Sequence, residues 1–293
     1  MNLEELIYRR FAGAEELTRH LTKYAGLPAV FSPEAPDDDQ PGWNGEGKYP
    51  QITYQCDMQA NEERKSAGTL AVTLVCQNTA EVSPEAIEDE IRKCLRDLLL
   101  VPDDEKVPYA FTWARTDAFT MPEKSPLLIG SDIRFDILEY GPQETTDPDP
   151  VMAVNQYIKS LYPEALVIGW DRIGSITEAS KERPVAYCRL ENVELSQETN
   201  TVAWMDCRLA VHFLCPDAET RRKLVMALTQ KLALDGEVIL LDRSPMFVKK
   251  LQANLTADYL TNGQLYITGH YGLLRYRAQG HLLAGAEIGF GSR

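Results

Sequence analysis

The sequence predicts an α+β protein: two tandem copies of one small α-β-β-β-α-β-β module, each with a mixed or antiparallel sheet and its helices packed on one face. Three observations predict it. The length, 293 residues, suits two domains of ordinary size. Segments with helical and strand-like apolar spacing follow the same order twice. Between the two passes lies a polar, proline-rich stretch, 142–150, which reads as a semi-rigid linker. The modules are therefore 1–141 and 151–293.

In the first module, Leu6, Ile7, Phe11, Leu17, Leu21 and Tyr24 space an amphipathic helix over 4–25, with Gly13 as a candidate break. Ala29-Val30-Phe31 is a short strand. The acidic, Pro/Gly-rich segment Ser32 to Gly47 cannot supply a core and reads as an exposed loop. Tyr49 to Tyr54 begins a strand, and a polar turn leads to a second, Thr69 to Cys76. Ser83-Pro84-Glu85 has the form of a helix start, with a capping residue, a proline at the first position and an early acid. The helix is predicted from Pro84 to about Leu100, with Ile87, Ile91, Cys94, Leu95, Leu98 and Leu99 in one stripe. Strands follow at Ala110 to Trp113 and Ile129 to Tyr140.

The second module repeats this. Val151 to Tyr162 is a helix, Leu166-Val167-Ile168 a short strand, and Arg183 to Tyr187 the start of another. Ala203 to Cys215 alternates as a strand. Asp217 caps a helix from Ala218 to Leu234. Strands are predicted at Met246 to Tyr259 and Gly263 to Tyr276. Short segments correspond: Tyr49-Pro50 with Arg183-Pro184, 71–76 with 210–215, 116–119 with 256–259, and 137–140 with 273–276. The apolar, Gly-rich residues after Tyr276 have no counterpart and read as an extra strand or a partner-seeking arm.

Charge sets bounds on partners. The net charge of −14 argues against nucleic acid, because phosphate contact needs a basic face. Residues 1–145 hold 14 Lys+Arg and 27 Asp+Glu, so 14 − 27 = −13 of that charge lies in the N-terminal half. No apolar run reaches a membrane span, and Met1-Asn2-Leu3-Glu4-Glu5 does not open a signal peptide. A cytoplasmic protein is expected, with six cysteines as free thiols, most of them buried.

Chemistry is sparse. No cysteine pair has zinc spacing, and no HExxH, GxSxG, GxGxxG or phosphate-loop pattern occurs. No catalytic residue, cofactor or metal is expected. Asp37, Asp38 and Asp39 are adjacent, whereas a calcium loop needs alternating oxygen ligands and a sharp glycine turn. His212 lies out of phase with Val211 and Phe213, which predicts a solvent-facing side chain. Trp43 and Trp170 fall in equivalent loops and, with the three aspartates, are the candidate protein-contact residues.

The layout of each half resembles the phage tail-terminator and minor tail-completion families. The resemblance rests on the leading helix, the short strand with its long loop, the Tyr49-Pro50 and Arg183-Pro184 strand starts, the amphipathic second helix, and the closing segments 138–140 and 274–276. It implies a non-enzymatic virion component that caps the tail tube and supports head–tail joining, with tail-tube and neck or connector proteins as partners. The family's usual protomer is a single module in a hexameric ring, so a doubled chain suggests three chains forming a pseudo-hexamer. An alternative from another class is a ligand- or peptide-binding protein with its site between the halves. A third is a hydrolase whose site is assembled from distant residues.

Overall fold

A computed structural model describes residues 1–37, 40–43, 45–59, 66–78, 83–123, 127–143 and 147–275. The chain is an α+β protein. Helix α1, Leu3–Gly13, opens with a capping box, in which the Asn2 side chain accepts from the Glu5 amide and Glu5 reaches back to the Asn2 amide. It breaks at Ala14 into the short α2, Glu15–Thr18. A hairpin of β1, Lys23–Tyr24, and β2, Leu27–Pro28, precedes β3, Val30–Phe31. Strands β4, Gln51–Met58, and β5, Gly68–Gln77, lead to α3, Pro84–Leu95. Then come β6, Leu98–Leu100; β7, Tyr109–Met121; and β8, Leu128–Glu139.

The second half begins with α4, Pro150–Leu161, whose first two free amides bond the Asp149 carboxylate. It continues through β9, Leu166–Val167; β10, Ile176–Glu178; β11, Val185–Glu198; and β12, Val202–Leu214. Helix α5, Ala218–Asp235, is capped by Asp217 and closed by Gly236 at φ 72°. Strands β13, Glu237–Ile239; β14, Pro245–Ala253; and β15, Leu265–Leu274, complete the described chain.

Two large sheets result. The first has the order β10-β6-β7-β8-β5-β4-β3, the second β13-β14-β15-β12-β11-β9. With β10 set aside, the orders agree strand for strand. The directions agree as well: β3 with β4 and β9 with β11 are parallel, and every other pair is antiparallel. Ile52 pairs with Leu74 as Ala186 pairs with Phe213, so the segments after Pro50 and Pro184 share a register. The other short matches fare differently. Residues 116–119 lie inside β7, whereas 256–259 lie beyond β14 in a loop where Asp258 bonds the Leu260 amide and the Thr261 hydroxyl.

Several expected elements change. The second helix stops at Leu95 and not Leu100, because Asp97 takes φ 52° and turns the chain into β6. Leu98, Leu99 and Leu100 are fully buried, and an apolar run covered on both faces reads like a continued helical stripe. With β13 also missed, each half contributes six strands to its own large sheet, one more than the expected order. Strand β10 lies between the strands predicted at 166–168 and 183–187, where none was expected, and β14 ends at Ala253 rather than Tyr259. Tyr276 and everything after it, including His281, lie outside the described residues.

In each half the helices cover one face of the sheet. Leu6, Ile7 and Phe11 of α1 and Ile87 and Ile91 of α3 pack on Ile52, Leu70, Val72, Leu74 and Phe135. Val154 and Ile158 of α4 and Leu228 and Leu232 of α5 pack on Ala186, Leu209, Val211 and Phe213. A third core lies on the opposite faces, where the halves meet: Leu99, Ala110, Leu138 and Tyr140 against Leu166, Ile168, Val185, Tyr187 and Leu214. The alternation that aims Leu98 and Leu100 at the helices aims Leu99 at the other module. Each such aliphatic side chain, once buried, contributes about 1.5–3 kcal/mol.

Candidate functional site

The junction between the halves gathers the chain's least ordinary chemistry. It is made of two pieces of the second module laid against the first, and one piece of the first carried across to the second. The first piece is β10, which adds to the outer edge of the first module's sheet beside β6. Ile176, Thr177 and Glu178 lie opposite Leu100, Leu99 and Leu98, and the Val101 and Ala179 amides donate across the seam to Ser175 and Asp97 at 2.9 Å. Arg10 of α1 donates to the Cys94 carbonyl and ion-pairs with Glu178, so the added strand is also held from the helix side.

The second piece is the loop after β14. Tyr259 donates its hydroxyl to the buried Asp97 carboxylate at 2.5 Å, and the Arg221 guanidinium lies 3.9 Å over the Tyr259 ring. Burial, and secondarily the Asp97 carboxylate, hold the Tyr259 phenol well above its ordinary range. The Tyr140 hydroxyl donates to the Leu260 carbonyl.

The third piece is the segment after β8, which crosses to the second module. Tyr187 donates to the Gly141 carbonyl at 3.0 Å, and the Leu190 amide donates to the Gln143 side chain at 2.8 Å. The described part of the 142–150 stretch is thus stitched to β11, and its end caps α4.

His212 is not on a solvent face. It is 2 % exposed, because Tyr140, Tyr187 and the Tyr259–Leu260 loop cover the strand face that points away from the helices. Burial pushes its pKa down to about 4. The neutral ring places Nδ1 3.1 Å from the Tyr259 carbonyl, which sets Nδ1 as the protonated nitrogen. Nε2 is buried without a partner among the described residues. Two hollows flank the junction. One, of about 570 Å³, is lined by Tyr140, Tyr187, Arg189, His212 and Asn262. The other, of about 730 Å³, is lined by Val101, Lys106, Pro142, Trp170 and Ile173.

The five residues singled out from the sequence do not come together. Trp43 is 1 % exposed and packs edge-on against Tyr24 and Phe31 at 5.2 and 5.1 Å, so it closes its own module and is not presented to a partner. Trp170 is 42 % exposed at the mouth of the larger hollow. Its loop is pinned by Asp171, which accepts from the Val167 amide and from Lys159. Asp37 is exposed, while Asp38 and Asp39 lie outside the described residues. Among the described residues no three His, Cys, Asp or Glu side chains form a metal-binding group.

The sequence matches no protein-family model and no curated protein. No helix among the described residues is long and apolar enough to cross a membrane. All six cysteines are free. Five are buried and Cys56 is half-buried, with burial pushing its thiol up to about 12.

Asp97 and Tyr259 were missed, and His212 was placed on a solvent face, because each looks ordinary in its own segment. Only Asp97 carried a signal: an acid directly before four apolar residues, 98–101, needs a reason to be there.

Proposed function

We propose that this chain is a structural component of a phage or prophage tail, a tail-terminator or tail-completion protein that caps the tail tube and supports head–tail joining. In this reading the two halves descend from one duplicated module, the chain carries out no catalysis, and its partners are tail-tube and neck or connector proteins. The observation that carries it is β10: a module with the second strand order extends the sheet of a module with the same order. A protein whose modules join by edge addition has the machinery an assembling ring needs. The acidic first module and near-neutral second module would then face different neighbours.

The test is direct. Tail tubes polymerised from a phage tail-tube subunit are mixed with it and imaged by negative-stain electron microscopy. Density at one tube end, with an arrest of elongation, is expected. Tubes that lengthen unaltered and uncapped would sink the reading.

One observation favours a second reading, a small-ligand protein with its site between the halves. The 570 Å³ hollow holds His212, whose unpartnered Nε2 can accept from a hydroxyl or an ammonium group. Its signature would be a ligand-dependent shift of the His212 ring resonances.

A further inference from the structure

We infer that the 570 Å³ hollow between the halves binds a free amino acid, its carboxylate on Arg189 and its ammonium group on His212 and Glu139. This rests on the small-ligand reading above and names the class of ligand that the reading leaves open.

The hollow is built from both modules. In the β11–β12 ladder Tyr187 lies opposite His212 and Arg189 opposite Ala210. Side chains alternate across a strand, so Tyr187, Arg189 and His212 stand on one face, the face turned away from the helices. Glu139, the last residue of β8, and Tyr140 after it come from the first module. The Tyr140 hydroxyl is committed to the Leu260 carbonyl and the Tyr187 hydroxyl to the Gly141 carbonyl. Both phenols therefore serve as wall.

Three lining side chains keep bonding capacity to spare. Arg189 gives Nη2 to Glu191 at 3.2 Å, but Glu191 also faces the Arg208 guanidinium at 3.2 Å, so one carboxylate serves two cations. The Arg189 Nε–H is buried and donates to nothing among the described residues. A guanidinium N–H left so is costly, and a carboxylate is the acceptor that its planar fork fits best. His212 has the converse need. Its Nδ1 proton faces the Tyr259 carbonyl, and the buried Nε2 holds a lone pair that only a donor can satisfy. Glu139 is exposed at the rim, and no hydrogen bond or ion pair holds it among the described residues.

One cationic donor, one neutral acceptor and one anionic acceptor thus line the same hollow. A simple carboxylic acid answers Arg189, leaves Nε2 without a donor and sets like charge against Glu139. A simple amine answers His212 and Glu139 and leaves Arg189 Nε without an acceptor. A molecule carrying both groups answers all three, and its zero net charge matches the balance of Arg189 against Glu139. The volume lies within the range of small-molecule sites and leaves room for a side chain. Because Glu139 belongs to one module and Arg189 and His212 to the other, the bound ligand ties the halves together and stabilises the folded chain.

The test titrates the isotope-labelled full chain with each standard amino acid and follows the His212 ring by NMR. At least one amino acid should shift the ring resonances saturably and raise the unfolding midpoint in urea. Its N-acetyl form lacks the ammonium group and its amide lacks the carboxylate, and each should bind about tenfold more weakly or worse. Arg189→Met and Glu139→Gln should weaken the parent amino acid by a similar factor. Should Arg189→Met fail to fold, Glu139→Gln, at an exposed position, and the two blocked probes still decide. Blocked forms that bind as well as the parent overturn the proposal, and so does Glu139→Gln with full affinity. If no amino acid moves the His212 ring, the proposal falls, and hydroxy acids, sugars and diamines are titrated next. A shift from one of these keeps the small-ligand reading without this ligand class, and silence from all of them removes both.

Discussion

Tyr259 and Asp97 are 162 residues apart in sequence, and the Tyr259 hydroxyl donates to the Asp97 carboxylate at 2.5 Å. Asp97 also accepts the Ala179 amide on its backbone oxygen, so one residue receives two separate segments of the second module. The left-handed turn that ends α3 is what places it there. A buried carboxylate must be hydrogen-bonded to be tolerated, and here the donor belongs to the other half.

Tyr259→Phe keeps the ring under Arg221 and removes that donor. Hydrogen bonds to charged groups contribute about 1.5–3 kcal/mol, and the substitution is expected to lower the unfolding free energy in urea by that amount. A loss under about 0.5 kcal/mol would mean that Asp97 does not depend on Tyr259.

The register of β10 predicts an alternating exchange pattern. Val101 and Ala179 donate across the seam, so Thr177, opposite Leu99, belongs to the same hydrogen-bonded set, while Ile176 and Glu178 turn their amides away from β6. Hydrogen exchange should find Thr177 and Ala179 protected and Ile176 and Glu178 fast. Thr177→Pro should cost about 3 kcal/mol and loosen the halves, whereas Ile176→Pro should cost far less. Equal exchange at all four amides would refute the pairing.

His212 makes the junction sensitive to acid. Burial pushes its folded pKa down to about 4, below the ordinary value near 6.5. A depressed histidine pKa means that the unfolded chain binds the proton more readily. The stability held above the ordinary value is therefore lost as pH falls toward 4. The difference amounts to about 3 kcal/mol at the lower end of that window. Unfolding midpoints of wild type and His212→Phe should converge as pH drops from 7 to 4. A His212 resonance that titrates near 6.5 by NMR would contradict the prediction.

Trp43→Ala is expected to behave as a core truncation. Deleting a fully buried tryptophan costs about 3–5 kcal/mol, and here it also removes the ring packed on Tyr24 and Phe31. The near-ultraviolet circular dichroism of the first module should weaken with it. A variant of unchanged stability that had lost a partner contact would instead make Trp43 an anchor.

Much of the layout was legible because it depends on local periodicity. The capped start at Asp217, the proline at the first position of α3, the alternation of 71–76 and 210–215, and the stripe of α3 each follow from a few neighbouring residues. Short buried strands were not legible, because Leu98–Leu100 and Ile176–Glu178 carry too few residues to show a period of two. The junction was illegible for the same physical reason at a longer range. His212 alternates as a solvent-facing residue should, and only a face of the other module makes that position an interior.

The amino-acid sequence by itself determined the α+β class, the order of most elements and the uneven charge, since composition, caps and spacing are properties of short stretches. The tertiary structure alone decided that Trp43 turns inward while Trp170 does not, that Asp97 meets Tyr259, and that β10 leaves its own module for the edge of the other. These are choices among distant surfaces of similar local chemistry, and they are settled by which apolar faces and unpaired backbone groups are left to satisfy one another.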